Sequence, residues 1–151
     1  MHAPLAIVDV ETTGSDPATD RITEIAVLQA DGIALTAQWS TLVNPGRPMP
    51  APIQSLTGIT QAMVDAAPRF ADIAEEVYER LAGRVFVAHN ARFDYGFLRR
   101  EFERAGLKYQ ARPWRSIRLS RSWPGATASP ARRATAPCPT LPCSGNSCAR
   151  P

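Results

Sequence analysis

Residues 5–14 read LAIVDVETTG, and how that stretch is read decides the fold. Five of the six residues from Leu5 to Val10 are apolar, which predicts a fully buried strand over 5–10. The two carboxylates of Asp9 and Glu11 stand two positions apart, and positions i and i+2 of a strand share a face. They fall at the carboxyl end of the strand, where open α/β sheets usually gather their ligands. Two acids so close repel each other unless one takes a proton or a cation lies between them. With oxygen donors only and no histidine beside them, the fitting cation is a hard divalent ion such as Mg²⁺ or Mn²⁺. A lone D-x-E also fits a strand-edge Asp beside a solvated Glu, so a second cluster has to decide.

Around this strand the chain organises itself clearly. GSDPATD (14–20) is a loop rich in turn formers. RITEIAVLQA (21–30) alternates as a second strand, Asp31-Gly32 predicts a hairpin, and IALTAQWSTLV (33–43) is the returning strand. These three strands form an antiparallel meander. NPGRPMPAP (44–52) is a proline-rich connection, followed by one or two short helices broken at Gly58. Phe70, Ile73, Ala74, Val77 and Leu81 recur at helical spacing, predicting an amphipathic helix over about 69–82 that ends at Gly83. RVFVAH (84–89) is another short buried strand, and Asn90 is placed to cap a helix with the stripe Phe93, Phe97, Leu98 and Phe102, closed by Gly106.

The second cluster lies in VFVAHNARFDYGFL (85–98), where the buried strand runs into His89-Asn90 and Asp94 occupies the first helical turn. The helix dipole favours a carboxylate there on its own account. It does not explain the order strand, His-Asn, Phe-Asp, nor the acids of the first strand. IVDVETTG, LTGIT and VAHNARFDYGFL, in this order and at these separations, resemble the DEDD-type (DEDDh) 3′–5′ exonucleases, and within them the proofreading epsilon subunit of bacterial DNA polymerase III. The resemblance runs from about residue 5 to residue 121. It implies an α/β, ribonuclease H-like mixed sheet, three antiparallel strands then parallel ones, flanked by helices and truncated at the C-terminal side.

Carried over position by position, the resemblance implies that Asp9, Glu11 and Asp94 are catalytic and hold two divalent metal ions, Mg²⁺ or Mn²⁺, with Asp9 bridging and Asp94 acting through water. Thr12, Thr13 and Gly14 resemble the turn that grips the terminal nucleotide through backbone and hydroxyl groups. Leu56 and Thr57 resemble the wall beside that nucleotide, Phe93 a second apolar contact, and Asn90, with His89, the organiser of the turn before the helix. The implied substrate is a single-stranded or frayed DNA 3′ end, RNA being the alternative, and the implied protein partner is a DNA polymerase subunit. Proofreading or repair is the implied role.

The pattern breaks downstream. The family closes its site with a further acid on a later helix, and a histidine general base five positions before it. Here the histidines are His2 and His89, and the last acid is Glu103. SIRLSR (116–121) resembles the fifth-strand region, and the resemblance then stops. Residues 1–121 are therefore expected to form an incomplete exonuclease-like domain, and 122–151 a disordered tail rich in Pro, Ala, Arg and Cys. The tail composition suits a GC-rich gene whose reading frame was lost near residues 121–125. Its cysteines, Cys138, Cys143 and Cys148, are spaced C-x4-C-x4-C without a fourth ligand, and read as incidental.

Charge and hydropathy set the remaining bounds. Residues 1–103 hold all 14 acidic residues and 8 of the 17 Lys and Arg, a formal −6; residues 104–151 hold the other 9 bases and no acid, a formal +9. Such a split suits an acidic working domain with a basic segment that attracts nucleic acid. No apolar run approaches the roughly 18–20 residues needed to span a bilayer, and the N-terminus lacks the layout of a secretory signal, so no membrane contact and a cytoplasmic location are expected. Two functions follow: a metal-dependent 3′–5′ exonuclease impaired by its missing acid and base, and, as the alternative, a non-catalytic nucleic-acid-binding or polymerase-associated remnant.

Overall fold

A computed structural model describes the backbone of residues 3–116 and the side chains of residues 3–111. The strands are β1 (Pro4–Thr12), β2 (Ile22–Asp31), β3 (Ala34–Leu42), β4 (Val85–Ala88) and β5 (Arg112–Ser116), in the sheet order β3-β2-β1-β4-β5. The meander β1–β2–β3 is antiparallel, whereas β4 and β5 run parallel to β1. The helices are α1 (Ala51–Thr57), α2 (Gln61–Asp65), α3 (Phe70–Leu81) and α4 (Ala91–Arg104). This is the mixed, ribonuclease H-like sheet that the resemblance implies. The tail beyond 121, its cysteines and the suggested loss of frame lie outside the described residues.

The structure differs from the expectation in three local places. β1 is not buried on both faces: Ala6, Val8, Val10 and Thr12 are buried, while Leu5, Ile7, Asp9 and Glu11 alternate with them and are only half-buried. Helices α3 and α4 cover the first face, which leaves the acid-bearing face more open. The hairpin turn sits one residue later than expected, because Asp31 pairs with Ala34 and Gly32, at φ 62°, takes the first of two central places. A positive φ suits glycine there. The fifth strand begins upstream of the expected 116–121, at Arg112, and pairs with β4 through Arg112, Arg115 and Ser116; residues 117–121 lie outside the described residues.

The core lies between the sheet and the α3–α4 pair. Val8, Val10, Ile25 and Val27 meet Phe70, Ile73 and Val77 of α3 and Phe97, Leu98 and Phe102 of α4. Phe102 stacks edge-on against Phe70 at a centroid distance of 5.3 Å and tilts over Tyr109 at 4.9 Å. A smaller cluster, Leu42, Met49, Ile59 and Val64, fastens α1 and α2 to the end of β3. Leu42 pairs with Glu24, which pairs with Glu11, so this second layer flanks the acid-bearing face. Gly58 ends α1 in the left-handed conformation at φ 73°. The Thr60 side chain caps α2 by accepting the Met63 N–H at 3.3 Å. Thr60→Ala is expected to cost about 1 kcal/mol, read as a shift of the urea midpoint at constant slope. Among the described residues no helix is long and apolar enough to cross a membrane.

Candidate active site

The site begins where β4 stops. β4 is four residues long and pairs with β1 only at Leu5–Ile7. Continued in register, it would bring Asn90 beside Val10, but the chain turns into α4 at Ala91. The first turn of α4 takes that place, and the Val10 N–H donates to Asp94 Oδ1 at 3.3 Å. A helix side chain thus completes the hydrogen bonding of a strand, and Asp94 is held against β1 with only 4% of its surface exposed.

That placement has an electrostatic consequence. Burial first, and the charge of Asp9 second, push the Asp94 carboxyl up to about 7, against the pull of the Val10, Asp94 and Asn90 backbone N–H groups. Asp9 and Asp94, 85 positions apart in sequence, therefore feel one another as like charges. Glu11 lies two residues further along the same face as Asp9, opposite Glu24 of β2. The register slips between Glu11 and Thr12, a bulge beside the site that sets Thr12 against Ile22. Glu24 is 4% exposed and escaped the sequence reading, although a charge inside an otherwise apolar alternation was its signal. Among the described residues no three His, Cys, Asp or Glu side chains form a cluster that could hold a metal ion as they stand. The convergence is of a pair, Asp9 with Asp94, with Glu11 adjacent on the strand.

The other predicted positions separate into groups. Thr12 and Thr13 are buried, and both hydroxyls act within their own turn: Thr12 Oγ1 donates to the Gly14 carbonyl at 2.6 Å, and Thr13 Oγ1 donates to Asp20 Oδ1 at 3.2 Å. Both hydroxyls thus hydrogen-bond within the segment 12–20. Thr57 is buried and shapes the end of α1, donating to the Ile53 carbonyl at 2.8 Å and accepting the Ile59 N–H. Leu56 beside it is 81% exposed, an apolar side chain held in the open. Phe93 is half-buried and packs on Phe97 at 4.8 Å. Asn90 occupies the N-cap position of α4 without a side-chain cap bond, its carbonyl instead accepting from Phe93 and Asp94, so the expected side-chain cap does not form. His89 and Asn90 are exposed at the β4–α4 turn.

Oxygen donors at a strand end and a buried acid on the facing helix are the donor chemistry that a hard divalent cation takes. Comparison with known proteins agrees in kind. The RNase T family, described as exonuclease, matches residues 6–133. The 3′-5′ exonuclease DinG of Bacillus subtilis is 42% identical over 103 residues, covering 68% of this chain and 11% of that protein. A DNA polymerase III subunit epsilon-like protein of Rhodobacter capsulatus is 44% identical over 98 residues, covering 63% of this chain and 14% of its own length. The chain thus spans a small part of each relative. Exonuclease I shares the fold at a TM-score of 0.66 and 22% identity, over 72% of this chain and 26% of that one. The chain belongs to the RNase T exonuclease family.

Proposed function

We propose that the chain is a metal-dependent 3′–5′ exonuclease domain by descent, built to remove nucleotides from single-stranded or frayed DNA 3′ ends. The observation that carries this reading is the Asp9–Asp94 pair, two like charges from distant segments brought together beside the Thr12–Gly14 turn. Mutual repulsion between two carboxylates is what a divalent cation relieves, and an all-oxygen donor set suits Mg²⁺ or Mn²⁺. Asp9, Glu11 and Asp94 are the residues that would hold the ions. Bound there, the ions would supply activation of water and neutralisation of charge at the phosphodiester. The chain's own part is positional: the backbone of Thr12–Gly14 holds the terminal nucleotide, and Leu56 and Phe93 offer apolar surface to its base and sugar. A single-stranded DNA end as substrate is supported by the E. coli exonuclease I complex with single-stranded DNA, which shares this fold. A polymerase subunit as partner is supported by the polymerase III epsilon-like relative.

A titration with a 5′-labelled single-stranded oligonucleotide tests the reading. Mn²⁺ is expected to tighten binding at least about tenfold, a modest coupling of metal and strand, and Asp9→Ala to remove that gain. Binding that ignores the metal and weakens steeply with salt would instead favour a non-catalytic module holding phosphates through the basic segment 104–151.

A further inference from the structure

We propose that Glu101 is a positioning residue that sets the Thr12–Gly14 turn for its nucleotide, by anchoring the loop that follows the turn onto the helix that carries Asp94. The inference rests on the exonuclease reading for the identity of the ligand, though not for the anchoring itself. Glu101 is 1% exposed in the last turn of α4, on the buried face with Phe97, Leu98 and Phe102. Its carboxylate accepts a two-pronged bond from Arg21, Nε to Oε1 at 2.6 Å and Nη2 to Oε2 at 2.9 Å. It also accepts from Arg104 Nη1 at 3.2 Å and from the Ile22 N–H at 3.4 Å.

Both arginines then act on the loop. Arg104 Nη2 donates to the carbonyls of Pro17 and Ala18 at 3.0 and 2.9 Å, and its Nη1 reaches the Asp20 carbonyl at 3.4 Å. Arg21 returns the chain to β2 while its carbonyl accepts the Thr13 N–H at 2.9 Å and its N–H donates to Thr13 Oγ1 at 3.1 Å. Asp20 closes the other side, accepting from Thr13 Oγ1 and from the Asp16 N–H at 3.0 Å. Its carboxylate lies so near Gly14 that a Cβ there would meet Asp20 Oδ2 at 2.3 Å. From Glu101 outward, each contact leads to the turn.

A role in stability alone does not account for this arrangement. A buried carboxylate with two guanidiniums is often matched or bettered in stability by apolar residues of similar size. What the acid adds is geometry, because a planar two-pronged pair fixes Arg21 in angle as well as distance. Asp94 and Glu101 are two turns apart on one rigid helix, so the turn that grips the nucleotide and the acid beside Asp9 share one frame.

The test uses the full chain with Glu101→Gln and, should that variant fold poorly, Arg104→Met, which removes the grip on the loop carbonyls and leaves the Arg21 pair in place. Three quantities are compared with the unaltered protein: Mn²⁺ affinity, oligonucleotide affinity in Mn²⁺, and amide exchange at Thr13. If the turn keeps its binding shape about a tenth of the time, oligonucleotide affinity falls about tenfold. Thr13 exchange then accelerates while Mn²⁺ affinity holds. Unchanged oligonucleotide affinity in both variants overturns the proposal. So does a loss of Mn²⁺ affinity in step with it, which would mean general loosening. An unaltered chain that takes up Mn²⁺ and no oligonucleotide sinks the exonuclease reading and, with it, the nucleotide role of Glu101. In that event the exchange rates still show whether the loop is anchored.

Discussion

In metal-free buffer the chain is expected to lose roughly 4 kcal/mol of stability as pH rises from about 4 to about 8, and Asp94→Asn to remove most of that loss. The Asp94 carboxyl ordinarily titrates near 3.8 and in the folded chain is pushed up to about 7. Between those values the folded protein keeps a proton that the unfolded chain has released. The folded state therefore binds more protons there, and stability falls with rising pH. The contribution is whole below about 4 and is lost as pH passes through about 7. Asparagine stays neutral throughout and still offers Oδ1 to the Val10 N–H, so its profile should be nearly flat. Urea midpoints at pH 5 and pH 8 measure the difference, and parallel profiles for the two proteins would refute it.

The same experiment separates the two causes. Burial is the larger and the charge of Asp9 the smaller, so Asp9→Asn is expected to fall between the unaltered protein and Asp94→Asn. Glu103 does not confuse the window. Its exposed carboxylate is held below the usual range by Arg100 and Arg99, and it titrates at lower pH. Adding Mn²⁺ at pH 8 should recover stability in the unaltered protein and recover little in either variant, because a bound cation would offset the ionised Asp94 carboxylate as the proton does at lower pH.

What could be read from the sequence follows from how far each signal reaches. The meander, both long helices and the Asp9, Glu11 and Asp94 positions declared themselves through periodicity and short motifs, which are local. The pairing of Asp9 with Asp94 is also foreseeable once β4 is known to end just before α4. Glu24 and Glu101 were harder. Each is an acid set in an apolar pattern, Glu101 on the same α4 stripe as Asp94, Phe97, Leu98 and Phe102, where a charge signals a buried partner without naming it. The partner of Glu101 is Arg21, 80 residues earlier, and no spacing rule links them. The bonds that the hydroxyls of Thr12 and Thr13 make were not legible either, because sequence gives a residue's chemistry but not what it already bonds. Only the loop's path, returning Asp20 to Gly14, shows that the hydroxyls stabilise the turn.

Removal of 3′ nucleotides by this 151-residue chain is expected to run about 10²–10⁴-fold slower than by a relative's domain that carries a downstream histidine and final acid. A general base positioned on the attacking water contributes a factor of that size, and the chain has no histidine after His89 and no acid after Glu103. His89 is a poor substitute. It stands exposed in the turn before α4, outside the helix face that presents Asp94 to β1. His89→Ala should accordingly leave the residual rate in place, whereas Asp9→Ala should abolish it, since Asp9 is the acid paired with Asp94. A 5′-labelled oligonucleotide followed in Mg²⁺ and in Mn²⁺ measures the unaltered chain, the two variants and the relative's domain side by side. Rapid Mg²⁺-dependent shortening, lost in Asp9→Ala, would show that the chain supplies its base by another route. Loss in His89→Ala would identify that route as His89.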